Sequence, residues 1–173
     1  MKKDFVMPIV VLTAICLVVS AALAFTNMKT APIIEETERR EAEAARVEML
    51  PEADSFKLMK LSGLPETVIE VYKAENGAGY VFMLGSKGYG GIVKIICGMD
   101  ADGVITDSKV LSHNETKGLG SKITGDNFRG QFIGKNSQLD GVEAISGASI
   151  SSGAYINAIK DAFTAYSIAK EAE

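Results

Sequence analysis

VIEVYKA (68–74), GYVFML (79–84), GGIVKIICGMD (90–100) and GVITDSKVL (103–111) are four short apolar runs, rich in β-branched residues and parted by Gly, Asn and Asp. Runs of this length bounded by turn residues read as strands. Asn76-Gly77 after the first and Asp100-Ala101-Asp102-Gly103 after the third are turn signals, because Asx side chains bond nearby backbone and Gly accepts a left-handed φ. The segment therefore reads as an antiparallel meander of four strands.

C-terminal to it, residues 112–126 form a polar, Gly-rich loop and Asn127 to Ile133 a short helix or turn. From Ser152 the apolar period changes: Tyr155, Ile159, Ala162, Phe163 and Tyr166 recur at helical spacing, the stripe of a C-terminal amphipathic helix packed on the sheet. Strands followed by helices of this kind give an α+β fold, an antiparallel sheet with flanking helices.

N-terminal to the meander, Phe5 to Phe25 carries no charge. A helix of roughly 20 such residues is about 30 Å long and crosses a hydrocarbon core. Lys2 and Lys3 precede the run and an acidic segment follows, so the positive-inside rule puts the N-terminus in the cytoplasm and the remainder outside. Ala22, Leu23 and Ala24 also satisfy the cleavage pattern of a secretory signal, but the apolar run exceeds the usual h-region of about 7 to 15 residues, which favours a retained span. After Pro32, IIEETERREAEAARVEML reads as a solvated helical connector that ends at Pro51. The chain thus divides into 1–26, cytoplasmic tail and transmembrane helix; 27–51, helical connector; and 52–173, one compact domain.

A net charge of −4 supplies no basic stripe for phosphate backbones and argues against a nucleic-acid partner. Cys16 and Cys97 have neither metal-ligand spacing nor the look of a disulfide framework, and His113 is the one imidazole. No metal site and no catalytic residue is expected from the chain itself, so difficult chemistry must come from a cofactor.

Two segments carry the candidate site. EAISGASISSG (143–153) sets small and hydroxyl residues just before the last helix, where free amides and the positive helix end suit an anionic phosphate; alone it reads more readily as an ordinary cap. SHNETKGLGSKI (112–123) joins hydrogen-bonding side chains to a GLG turn that lets backbone approach a ligand; alone it is a surface loop. In this order and spacing, together with TAPIIEE (30–36), MLPEAD (49–54) and GYGGIVKIICGMDADGVI (88–105), they resemble the FMN-binding domain of the RnfG/RsxG family of ion-translocating electron-transport complexes, and of its relative NqrC. The likeness covers nearly the whole chain.

That resemblance implies covalent FMN. The family's flavinylation motif, an acidic residue followed by SGAT, is matched by Ser146, Gly147, Ala148 and Ser149, with Ser149 in place of Thr and Glu143 at the usual Asp position. The hydroxyl of Ser149 is thereby the implied phosphoester site, loaded by a flavin transferase using FAD and magnesium, with Ser151 and Ser152 as alternative acceptors or caps. HxETPGLG is matched by His113, Glu115, Thr116, Gly118, Leu119 and Gly120, with Lys117 in place of Pro. Glu115 and Thr116 are expected to bond the isoalloxazine edge and Leu119 to contact its face, with Gly120 and His113 completing the cofactor-binding set.

The implied function is that of a flavin-carrying electron-relay subunit in a membrane complex that exchanges electrons between ferredoxin and NAD and moves Na⁺ or H⁺. It is set in the cytoplasmic membrane by a single span, with its FMN domain on the extracytoplasmic side. The alternatives are a stand-alone extracytoplasmic FMN carrier and a noncovalent flavin-binding or structural subunit.

Overall fold

A computed structural model describes residues 2–172. The elements are α1 (Lys2–Met49), β1 (Phe56–Met59), β2 (Val68–Ala74), β3 (Gly79–Lys87), β4 (Ile92–Asp100), β5 (Ile105–Ser112), a 3₁₀ turn (Gly120–Thr124), α2 (Asp126–Arg129) and α3 (Ser149–Glu171). They fall into two compact units that divide between Glu41 and Ala42.

The first unit is α1 up to Glu41. Within it lies the one stretch among the described residues long and apolar enough to cross a membrane, and none of that stretch is buried against protein. Pro8 and Pro32 both lie inside the helix. The apolar run and the residues after Pro32 that read as a helical connector lie in one continuous helix, in which each Pro removes a single i→i−4 bond.

In the second unit the five strands pair antiparallel in sequence order, β1-β2-β3-β4-β5. The β2–β3 turn is closed by Asn76, whose Oδ1 accepts the Ala78 N–H at 3.1 Å. At the β4–β5 turn, Asp100 Oδ1 accepts the N–H groups of Asp102 (3.0 Å) and Val104 (2.9 Å). The expected four strands become five: β1 joins the edge beside β2, Phe56 opposite Ala74.

Side chains alternate across a strand, and here both faces are covered. Tyr80, Phe82, Leu84, Val93, Ile95, Cys97 and Met99 point into a core closed by Tyr155, Ala158, Ile159 and Ala162 of α3. Between them, Val81 and Ile96 face the other way, against Ala45, Met49 and Leu50 at the end of α1. Two buried faces explain why β3 and β4 read as continuous apolar runs rather than strict alternation. The end of α1 is held to β5 and its neighbours by polar contacts as well: Thr106 Oγ1 donates to the Met49 carbonyl at 2.6 Å, and Glu48 pairs with Lys109 and, at 3.3 Å, with Arg129. The core thus fixes α3 against the sheet, and the site lies at the start of that helix.

Candidate functional site

Three backbone segments meet beside the first turn of α3. The β3–β4 turn supplies Gly88 to Gly91, the loop after β5 supplies His113 to Gly120, and the helix itself begins at Ser149. Between them is a cleft of about 510 Å³ lined by Tyr89, Glu115, Thr116, Leu119, Gly120, Gly147, Ala148, Ser149, Ile150 and Ser151.

Glu115 ties the segments together. Its carboxylate is 7% exposed. Oε1 accepts the Gly90 N–H at 2.8 Å and Oε2 the Tyr89 N–H at 3.2 Å, while the Ser151 hydroxyl donates to Oε2. Burial is the largest influence on this carboxyl and pushes its pKa up. The bonds from Ser151, Gly90 and Tyr89, with the nearby His113, together outweigh it and hold the group below the ordinary carboxylate value. The Glu115 N–H in turn donates to His113 Nδ1 at 3.1 Å.

The three serines of the helix start are in different states. Ser152 Oγ accepts the Ile145 N–H at 3.1 Å and donates to the Ala148 carbonyl at 2.9 Å, so its hydroxyl is committed to capping. Ser151 is buried and engaged by Glu115. Ser149, the first residue of α3, is exposed on the cleft wall. Ala148 occupies the N-cap position without a side-chain cap, which leaves the helix's first amides to the cleft. Gly147 enters that cap at φ +79°, a left-handed conformation costly to residues with a Cβ. A second cleft, of about 720 Å³ and lined in part by Lys87, Ile92, Gly153 and Asn157, shares Ser149 and Ile150 with the first.

Of the residues expected from the sequence, Ser149, Glu115, Thr116, Leu119, Gly120, Gly147 and Ala148 converge on the cleft. Ser146 is exposed and is not part of its wall, and neither is the half-buried His113, which accepts the Glu115 N–H. Tyr89, 73% exposed on the wall, and Ile150 belong to the site without having been expected there, and Ser151, expected only as an alternative acceptor or cap, lines it as well. A Tyr within GYGG could have been singled out as an aromatic beside a glycine turn, but nothing in its neighbourhood indicates the loop it meets.

The arrangement fits an FMN. The volume falls in the usual range of about 300–1,000 Å³ for small-molecule sites. Tyr89, Leu119 and Ile150 offer apolar surface for a flat ring, and the uncapped helix start offers amides for a phosphate.

A family model described as "FMN-binding domain" matches residues 88–164. In Acetobacterium woodii, the component designated G of the Na(+)-translocating ferredoxin:NAD(+) oxidoreductase complex is 32% identical, over 90% of this chain and 88% of that protein. Its counterpart in the proton-translocating ferredoxin:NAD(+) oxidoreductase complex of Clostridium ljungdahlii is 30% identical, over 87% and 85%. The crystal structure of Shewanella oneidensis NqrC aligns with a TM-score of 0.48 at 20% identity, covering 60% of this chain and 63% of that one.

Proposed function

Because this chain belongs to the RnfG/RsxG family of ion-translocating oxidoreductase components and carries the family's FMN-binding domain, we propose that it is a single-span electron-relay subunit holding FMN covalently on Ser149. In this reading residues 1–26 are the cytoplasmic tail and span, 27–51 the connector, and 52–173 the FMN domain on the extracytoplasmic side. The complex passes electrons between ferredoxin and NAD and moves Na⁺ or H⁺, as the names of those two relatives state for theirs.

The observation that carries the reading is the exposure of Ser149 where both sequence motifs meet, while Ser151 and Ser152 are buried and bonded. Attachment requires Ser149 Oγ to attack the FAD phosphorus nearer the ribityl chain. The new Oγ–P bond forms as the P–O–P bond breaks, AMP leaves, and the hydroxyl proton passes to a base of a flavin transferase. A phosphoester then keeps the flavin at high effective concentration outside the cell. The bound flavin supplies the electron-carrying chemistry. The protein's own part is to hold the phosphate at the helix start, shelter one face of the ring with Leu119, Ile150 and Tyr89, and leave the rest open to redox partners.

The test is intact mass and in-gel fluorescence of denatured full-length protein co-expressed with a flavin transferase, for wild type and Ser149→Ala. One FMN-sized adduct, lost in Ser149→Ala, supports the reading. An adduct that survives moves the linkage elsewhere, and flavin released by denaturation makes the binding noncovalent. Co-purification with multi-span subunits separates a complex subunit from a stand-alone carrier.

A further inference from the structure

We infer that Ser151 and Glu115 form a positioning clasp that presents Ser149 for flavinylation; the inference rests on Ser149 being the acceptor, as proposed above. In an α-helix successive side chains are rotated by roughly 100°, so residues two apart point to nearly opposite sides. Ser151 is 2% exposed and its hydroxyl donates to the buried carboxylate of Glu115. With that side chain locked at the buried base of the cleft, the rotation of the first turn is set and Ser149 is held at the exposed part of the same wall.

The carboxylate is itself anchored at both oxygens. Both oxygens are occupied by the amides of Tyr89 and Gly90, and the residue's own N–H is taken by His113. The clasp therefore references the acceptor serine to the β3–β4 turn and to the loop that forms the opposite wall. Space for it is provided at Gly120, where a Cβ would lie 2.7 Å from Ser151 Oγ and 2.8 Å from Glu115 Oε2. Neither Ser151 nor Glu115 takes part in bond making; each acts through the placement of Ser149.

A helix turn that is free to rotate or fray presents its hydroxyl in the reactive orientation for only a fraction of the time, and misplacement by about 1 Å costs on the order of a hundredfold in rate. Loss of one hydrogen bond that fixes the turn is expected to cost about tenfold, on the same scale. Because the outer surface is unchanged, the loss falls on kcat for the acceptor protein and not on its KM.

The experiment uses the full-length chain in detergent as the acceptor substrate of a purified flavin transferase with FAD and magnesium, and measures initial rates of adduct formation against acceptor concentration. Wild type, Ser149→Ala, Ser151→Ala, Glu115→Gln, the Ser151→Ala/Glu115→Gln double variant and Gly120→Ala are compared. The expected result is a kcat about tenfold lower in Ser151→Ala and in Gly120→Ala with KM unchanged, and a double variant no slower than Glu115→Gln alone, since the two residues make one contact. A merely structural role would unfold part of the population, raising the apparent KM and leaving kcat at the wild-type value; that result overturns the clasp. Wild-type rates in both Ser151→Ala and Gly120→Ala, with no adduct in Ser149→Ala, overturn the clasp and leave Ser149 as the acceptor. An adduct retained in Ser149→Ala, or none in wild type, overturns both.

Discussion

Replacing Tyr155 by Phe removes one oxygen from the middle of the domain while leaving the ring that fixes α3. The ring is fully buried and packs edge-on to Phe128 at 5.3 Å and tilted on Phe132 at 5.0 Å. Those contacts are apolar and survive the change. What is lost is the bond from the Tyr155 hydroxyl to Ser108 Oγ, 2.9 Å long, between two side chains that are both 0% exposed. Ser108 is then left without its buried partner, which costs about 1–3 kcal/mol. Removing both oxygens, in Tyr155→Phe with Ser108→Ala, replaces the pair by apolar groups and leaves no orphan, so the double variant should be more stable than the two single losses added together by on the order of 1 kcal/mol. The assay is urea unfolding of the detergent-solubilised chain followed by circular dichroism, with a double-mutant cycle built from the four proteins. Strict additivity of the single effects, or a Tyr155→Phe protein within about 0.5 kcal/mol of wild type, a margin typical of surface changes, would refute the reasoning that this buried bond stabilises the packing of α3 on β5.

The same unfolding assay checks three further outcomes, and membrane extraction a fourth. The Glu115 carboxyl is held below its ordinary value in the fold, so its stabilising contribution is full above the unfolded pKa of about 4.3 and is lost as pH falls through the lower folded value; Glu115→Gln should remove that acid limb from the pH profile. Burial, and then the charge of Asp107, push the Cys97 thiol well up, so its contribution is present below the unfolded pKa of about 8.5 and is lost as pH rises above it; Cys97→Ala should flatten the stability curve between about pH 8.5 and 10. Gly147→Ala imposes a Cβ on a residue at φ +79° and should cost about 1–2 kcal/mol, whereas Ser146→Ala, at an exposed neighbour, should stay within about 0.5 kcal/mol. Finally, native protein should resist alkaline carbonate extraction from membranes and still contain the peptide with Lys2 and Lys3, while a mature N-terminus after Ala24 would show the signal reading to be right.

Strands β2 to β5 were legible as short apolar runs, and the hairpin turns after β2 and β4 because Asn76 and Asp100 side chains close them. The edge strand β1 was not. Phe56–Met59 has four residues with only its two ends partly buried, so FKLM carries too little alternation to stand out. The start of α3 reads three residues late in the sequence, since SISS offers hydroxyls that look like caps; in the fold Gly147 and Ala148 make the entry and the serines are already helical. Of the site, the two motifs were visible as local patterns. Tyr89 was not, because its place depends on a contact with Glu115 across 26 positions of sequence, set by the pairing of β4 with β5.

The GLG turn shows how a motif can be found correctly and still conceal its physics. From sequence its glycines suggest flexibility and room for a ligand. In the fold they divide into two roles. Gly118 adopts φ +77° with open space around a would-be Cβ, a purely conformational requirement. Gly120 is buried at an ordinary φ, and its missing Cβ makes room for the Ser151 and Glu115 oxygens. Two substitutions to Ala in the same three-residue turn should therefore fail differently: at Gly118 through backbone strain that slackens the loop, at Gly120 by prising the helix start from the carboxylate that orients it. The second leaves the loop's conformation intact and disturbs Ser149, far along the chain. The spacing between HNETKGLG and ISGASISSG is thus a contact, with the glycine of one motif shaped around the serine of the other.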